Sequence, residues 1–472
     1  MPENAYQQVP YLTQPMAQTH PDRLASVATL FGMTPAPVTN CRVLEVGCGS
    51  GANLIPMAHF LPGSRFTGVD LAEGPIADAR HAVDTLAMSN VEFLAMDLCD
   101  IGSPMGEFDY IIAHGVYSWV PDPVRERLLA VCRERLGPAA VAFISYNALP
   151  GRHVRMMFRD MIQYHTRDCP DPAERIERAR ALLRMAADAQ LASAPWQPMI
   201  QEEVQRMLTG DPGWFFHDDL SEVNDAFRIR DFAARAAGHG LQYVGDAEAH
   251  LMFDVRNVMD GFEGDLIERE QYFDFLCLRR FRQTILCHAD VALRRPAIPE
   301  QMETFLFSSP ARQGDGQIEG ANGVSISDPP PAIARIAAIL GAANPLPVPF
   351  DRLLEAVPDR KTLCEVLFAL IASGFAEFHI HDFAGHRGLS DRPRATRLAA
   401  WEAAHGNSVT YATHTTLKLD PVVHTLIALL DGTRDYEAIV TSLAQSDNAP
   451  DEDEIRSKLP HILSRMSATG LL

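Results

Sequence analysis

The sequence predicts an α/β fold: a parallel sheet with helices on both faces, followed by a helical middle region and a mainly helical C-terminal region. Two observations carry this. Over residues 42–146, short apolar runs alternate with amphipathic stretches, placing strands at 42–46, 65–70, 91–96, 108–113 and 140–146 and helices at 52–61, 74–88 and 122–136. Alternation at this spacing marks parallel strands joined by crossover helices. After Asn147-Ala-Leu-Pro-Gly the pattern changes to long helical runs at 152–166, 172–192 and 198–208, the second rich in alanine and arginine.

Taken in order, residues 1–23 hold Tyr6, Tyr11, Thr19, His20 and prolines at 10, 15 and 21, and read as an extended arm. Such an arm, just ahead of the first strand, either folds over a ligand as a lid or clasps the core. Leu24, Val27, Ala28 and Phe31 then recur at helical spacing. Beyond the alternating region, a helix at 228–238 ends at Gly238 and Gly240, before the strand-like Leu241-Gln-Tyr-Val. Residues 308–330 are turn-rich and read as a linker or exposed loop. From 331 onward two similar helical units follow: 331–341 with 350–374 and a strand at 375–380, then helices at 419–430 and 435–445. The expected divisions are 1–165, 166–300, a linker at 301–330, and 331–472.

Composition narrows the class. An apolar content of 47% and a charged content of 22% are those of an ordinary globular protein, and 472 residues are enough for about three domains. A net charge of −20 argues against a phosphate-backbone partner, so no nucleic acid is expected. No run of 18 apolar residues and no basic-apolar N-terminal signal occurs, so no membrane association and a cytoplasmic location are expected. The eight cysteines are scattered without a CxxC pair, which suits reduced thiols. The histidines, His217, His239, His288 and His379 among them, form no ligand spacing, and no metal is expected. No GxSxG elbow supports a hydrolase.

The first strand, Val43-Leu-Glu-Val, runs directly into Gly47-Cys-Gly-Ser-Gly51. Such glycines turn sharply and let a ligand approach bare backbone, which marks a nucleotide-type cofactor site. On its own the pattern leaves the cofactor open, because Gly47, Gly49 and Ala52 also satisfy the GxGxxA dinucleotide form. Glu45 places a charge inside the strand run, costly unless it has a partner. Asp70 follows the second strand at the distance suited to ribose hydroxyls, Asp97 follows the third, and His114-Gly115 follows the fourth. All of these fall at carboxyl ends of strands, where ligands of open α/β sheets bind.

Together these residues resemble the class I methyltransferases that use S-adenosylmethionine (SAM), over roughly residues 40–150. The resemblance implies a Rossmann-like core in which Glu45, Gly47, Gly49 and Gly51 hold the methionine end, Asp70 with Leu71 the ribose, and Asp97 with Leu98 the adenine. His114 and Gly115 would lie beside the transferred methyl. The His217-Asp-Asp-Leu and Asn224-Asp-Ala-Phe residues, His239-Gly-Leu-Gln-Tyr-Val and Arg279-Arg-Phe-Arg-Gln-Thr-Ile-Leu-Cys-His resemble the regulatory domain beside bacterial protein lysine methyltransferases of rickettsial type. Tyr6, Pro10-Tyr11 and Thr19-His20-Pro21 are similar to the arm of that family, whose C-terminal domain is a helical winged type.

Methyl transfer from a sulfonium is an in-line displacement, so the protein must align the nucleophile, exclude water and leave it a lone pair. For lysine, with a pKa of about 10.4, reaching about 7 to 8 takes roughly 3 to 5 kcal/mol of differential interaction. An aromatic, desolvated slot supplies this, and its ring faces attract the sulfonium. The loop His114-Gly-Val-Tyr-Ser-Trp-Val-Pro provides Tyr117 and Trp119 as walls, Tyr146 and Asn147 end the fifth strand, and Tyr11 would close the slot from the arm and meet the cofactor. Thr19 and His20 are expected cofactor contacts, His20 at its carboxylate. No Asn-Pro-Pro-Tyr motif follows the fourth strand, which disfavours amino-base or glutamine methylation. The expected function is SAM-dependent methyl transfer to protein lysines. The rivals are a small-molecule N- or O-methyltransferase and a non-catalytic SAM-binding regulator; a homodimer is a further expected partner.

Overall fold

The computed structural model describes Val9 and residues 13–189, 196–253, 258–259, 261–314, 316–383, 389–446 and 451–472. After helix α1 (Pro21–Leu30), strands β1 (Arg42–Val46), β2 (Arg65–Asp70), β3 (Val91–Ala95), β4 (Phe108–Ala113) and β5 (Leu136–Ala148) alternate with α2 (Leu54–Phe60), α3 (Glu73–Leu86) and α4 (Asp122–Arg135). These five strands lie parallel in the order 3-2-1-4-5. Val43, Leu44, Tyr110, Ile111, Val141 and Phe143 are fully buried, as expected for strands covered on both faces.

Residues after β5 form an antiparallel helical group, α5 (His153–Thr166), α6 (Pro172–Asp188) and α7 (Gln197–Thr209), around Phe158, Ile162, Leu183 and Val204. A short β6 (Ala226–Phe227) pairs with the end of β5, and α8 (Ile229–Gly238) follows. The segment expected to be a helical middle domain then returns to the sheet. Strands β7 (Leu241–Asp246) and β8 (Phe281–His288) extend it: β8 lies antiparallel against β5, β7 pairs antiparallel with β8 and so runs parallel to the first five, and α9 (Leu266–Cys277) connects the two in the chain. Residue Arg282 hides β8 from a pattern reading, since a charge rarely occupies a central strand. Its guanidinium is fully buried, donating to Glu270 Oε2 at 2.7 Å and to both oxygens of Asp274 at 2.8 and 2.9 Å. The buried charge is thus compensated by two acids of α9, and removing either would break part of a buried, hydrogen-bonded ion network.

The expected linker is structured. Leu306–Ser308 forms a small antiparallel sheet with Val348–Pro349 and Glu377–His379, and Arg312–Gln313, Gln317–Glu319 and Ser325–Ser327 form a meander. Helix α10 (Pro331–Ala343) packs beside them, and the helix expected over 350–374 is two, α11 (Phe350–Leu354) and α12 (Arg360–Ala372). Pro358 breaks it, and Asp359 caps the second piece by accepting from Thr362 N. The last unit holds α13 (Arg397–His405), a hairpin of Ser408–Thr410 and Thr416–Lys418, then α14 (Pro421–Leu429), α15 (Tyr436–Ala444) and α16 (Glu452–Ala468). Its own core includes Leu426, Ile439, Val440, Leu459 and Leu463.

A buried relay ties α1 to the 377–379 strand: Ser308 Oγ meets His379 Nε2 at 2.8 Å, and His379 Nδ1 meets Asp22 Oδ2 at 2.8 Å. Asp22 Oδ1 also accepts the backbone N–H groups of Ile380 and His381. The order Ser-His-Asp is that of a hydrolase triad, yet every oxygen of Asp22 is used to join chain segments. It is a clasp. No described helix is long and apolar enough to cross a membrane.

Candidate active site

A cavity of about 950 Å³ lies over the carboxyl ends of β1 to β4. It is at the upper end of the range for ligand sites. The glycine loop forms its floor. Gly47 has φ +75°, and an added Cβ would lie 2.7 Å from Val116 Cγ2, so both backbone conformation and space require glycine. The arm crosses this floor: Thr13 Oγ1 contacts Ser50 Oγ at 2.8 Å, and Met16 N donates to Asn53 Oδ1 at 3.0 Å, with Thr13, Gln14 and Met16 all on the wall.

Glu45 is buried on this wall. Its Oε1 accepts from Asn53 Nδ2 at 2.7 Å, whereas Oε2 has no partner among the described residues. Burial, with a smaller contribution from Asp70, pushes its pKa up to about 8. Such a carboxyl is poised to take a cationic donor. The amide of Asn53 is itself fixed from behind by Thr19 Oγ1, which accepts from Nδ2 at 2.9 Å, and by His414 Nε2, 2.9 Å from Oδ1. Burial holds His414 well below the usual histidine range, so it is neutral and donates from Nε2.

At the end of β2, Asp70 orders its own surroundings: Oδ2 accepts from Gly49 N at 2.9 Å and Oδ1 from Ala72 N at 2.8 Å. The carboxylate keeps further lone pairs toward the cavity. Leu71, 67% exposed, offers an apolar wall beside it. After β3, Asp97 Oδ1 accepts from Cys99 N at 2.8 Å, which turns the chain and places Met96, Asp97 and Leu98 on the same wall.

The loop after β4 divides by side-chain direction. Gly115 N donates to Ser145 Oγ at 2.9 Å and Trp119 N to Val116 O at 2.9 Å, closing a turn. His114, Gly115 and Trp119 thereby line the cavity. Among the described residues His114 Nδ1 and Trp119 Nε1 are buried without partners. Burial lowers the pKa of His114 to about 4, so at neutral pH it is an uncharged imidazole and a weak base. Tyr117 points the other way. It is fully buried edge-on to Phe227 and Phe232, at centroid distances of 5.0 and 5.1 Å, and is not a slot wall.

Four further expectations are corrected or bounded. Gly51 is not on the wall: an added Cβ would lie 2.5 Å from Phe93 Cζ, so it serves close packing. Thr19 is buried one layer behind the cavity, donating to Met16 O at 2.8 Å. His20 caps α1 through Nδ1, which accepts from Asp22 N at 3.1 Å, and its ring lies 5.3 Å from that of His414. Burial lowers its pKa to about 4, so it is neutral, and it does not line the cavity. Tyr11 lies outside the described residues.

Residues the sequence reading missed come from far along the chain. Trp214 and Asp218 join the wall from the segment before β6. Asn147, at the end of β5, donates from Nδ2 to Asn224 Oδ1 at 2.7 Å, and Asn224 Nδ2 donates to the backbone oxygen of Asp218. The five lining carboxylates are Glu45, Asp70, Asp78, Asp97 and Asp218; among the described residues no lysine or arginine lines the cavity.

Comparison with known proteins places this geometry. Residues 43–139 match a methyltransferase domain family, 211–288 the predicted methyltransferase regulatory domain, and 391–471 the PKMT C-terminal winged helix domain. The Rickettsia prowazekii protein RP028 is 31% identical over 233 residues, 49% of this chain and 93% of that protein. The chain belongs to the PKMT-type family of class I methyltransferases.

A second Rickettsia prowazekii protein, RP789, is 37% identical to this methyltransferase over 308 residues, 64% of the chain. The matched region spans 56% of the length of RP789. Two structures of PKMT2 from Rickettsia typhi, one in complex with AdoHcy, superpose with TM-scores of 0.85 and 0.82 at 24% identity. Each covers 98% of this chain and 100% of the other. The fold is therefore shared from the core to the C-terminal winged unit, and the sheet order 3-2-1-4-5, followed by one antiparallel strand, β8, and an edge strand, β7, is that of the class I core.

Proposed function

We propose that this methyltransferase uses SAM to methylate lysine side chains of a protein. The observation that carries the reading is the cavity's lining of carboxylates with no lysine or arginine among the described residues. A site of this charge favours a cationic methyl donor and a cationic acceptor together. The residues fit the donor: the unpartnered Oε2 of Glu45 would accept from its amino group, the bare backbone of Gly47 and Gly49 would admit its methionine end, and Asp70 its ribose. Leu71, Met96 and Leu98 would flank the adenine, with Asp97 at its edge. When bound, SAM supplies an electrophilic methyl on a sulfonium.

The chain's own residues orient and desolvate. Trp119 gives an aromatic face to the acceptor, His114 stays neutral beside it, and the arm at Thr13–Met16 covers the floor against water. Calorimetric titration with SAM and with NAD tests the cofactor. Micromolar binding of SAM alone is expected; binding of NAD alone would overturn the reading.

A further inference from the structure

We propose that Asp218 is the acceptor-binding carboxylate: it receives the ammonium of the incoming side chain on the β4–β5 side of the cavity and takes the proton that the amine must give up. The proposal rests on the lysine reading above.

Asp218 and Asp219 sit together in a π-turn, Phe215–Asp219, an irregularity frequent at functional sites. The wider turn sends the two carboxylates in different directions. Asp219 is fully buried and both its oxygens are used by the fork of Arg155, at 2.8 and 2.7 Å. Asp218 lines the cavity, and among the described residues its carboxylate has no hydrogen bond and no ion pair. Its backbone oxygen is tied through Asn224 to Asn147, so it stands over β5, across from Asp70 and Asp97 over β2 and β3. The other lining acids are otherwise engaged or exposed: Asp70 and Asp97 accept backbone N–H groups, Asp78 faces solvent on α3, and Glu45, bonded to Asn53 through Oε1, has its Oε2 assigned above to the donor's amino group.

An unpaired carboxylate in a half-buried wall is costly and is relieved by a cation. Burial and the neighbouring Asp219 push the Asp218 pKa up to about 7, while Arg155 and Arg152 pull it down. It therefore changes charge near neutrality, and an alkylammonium draws it into the ionised form. Trp214, four residues earlier, and Trp119 line the same cavity and give that cation ring faces. In the proton step one N–H bond of the ammonium breaks, an O–H bond forms at Asp218, and the electron pair stays on nitrogen as the lone pair required for attack.

The test compares wild type with Asp218→Asn. SAM affinity is measured by calorimetry. Binding of N-acetyl-lysine amide and of its norleucine isostere is then measured on the protein loaded with S-adenosylhomocysteine. Wild type is expected to prefer the lysine amide, increasingly from pH 6 to pH 8 as Asp218 ionises. Asp218→Asn should lose about tenfold or more of that preference, and its pH dependence, while SAM affinity changes less than about threefold. An undiminished preference in Asp218→Asn overturns the proposal alone. Loss of SAM binding in the variant also overturns it, placing the carboxylate in the fold. A wild type that binds SAM and shows no preference for the lysine amide overturns the lysine reading itself.

Discussion

His414 Nε2 lies 2.9 Å from Asn53 Oδ1, 361 positions earlier in the chain, and through Asn53 the C-terminal unit reaches the buried carboxyl of Glu45. The winged unit is thus part of the shell that orients the floor of the cavity, and not only an appended module. His414→Ala should weaken SAM binding by about three- to tenfold, the worth of one neutral hydrogen bond, and, because the ring is buried, should also lower the midpoint of thermal unfolding. Unchanged affinity by calorimetry would mean that the contact is packing only.

Glu45→Gln has opposite effects on binding and on stability. The variant keeps the shape and the contact with Asn53 but loses the anionic partner for the donor's amino group. SAM affinity should fall by about 10- to 100-fold, as for a charge-assisted hydrogen bond. Because the folded pKa is raised to about 8, wild-type Glu45 contributes no penalty below about pH 4, and costs progressively more stability as pH rises toward 8. Ligand-free Glu45→Gln should therefore unfold at a higher temperature than wild type at pH 8 and at nearly the same temperature at pH 4. Thermal scans at the two pH values check the sign.

Asp70 both faces the cavity and anchors Gly49 and Ala72. Asp70→Ala should reduce SAM affinity by more than tenfold through both roles. Asp70→Asn keeps one acceptor and should lose less. Equal affinities in wild type and Asp70→Ala would remove the ribose assignment.

The contrast between Tyr117 and Trp119 yields a paired prediction. Trp119→Ala should lower turnover at least tenfold while leaving SAM affinity within about threefold if the indole, which lines the cavity, receives the acceptor as proposed. Tyr117→Phe removes only a hydroxyl from a buried aromatic cluster and should leave turnover nearly unchanged. Steady-state rates with tritiated SAM separate the two.

What the sequence reveals follows from how local each constraint is. That Glu45, Gly47, Gly49, Asp70 and Asp97 line the cavity is legible because each lies at the end of a strand of a regular parallel sheet, so a one-dimensional pattern fixes a three-dimensional edge. Tyr117 was misplaced because a tight turn after β4 reverses side-chain direction within two residues. His20 and Thr19 were placed one layer too close, since an arm of irregular backbone has no period from which to read depth. Strand β8 was obscured by Arg282, whose charge is neutralised by Glu270 and Asp274 on a different element. Asn53, His414 and Asp218 became visible only through tertiary contacts, two of them across hundreds of positions or a π-turn that no simple periodicity announces.

The central claim is methyl transfer from SAM to a lysine nitrogen of a protein. Its most direct measurement incubates the purified chain with methyl-tritiated SAM and a lysate of the source bacterium, then hydrolyses the labelled protein and separates the amino acids. Label recovered as methylated lysine, and absent with Asp70→Ala, is the predicted result. Label confined to small molecules, or recovered from protein in another amino acid, would contradict it.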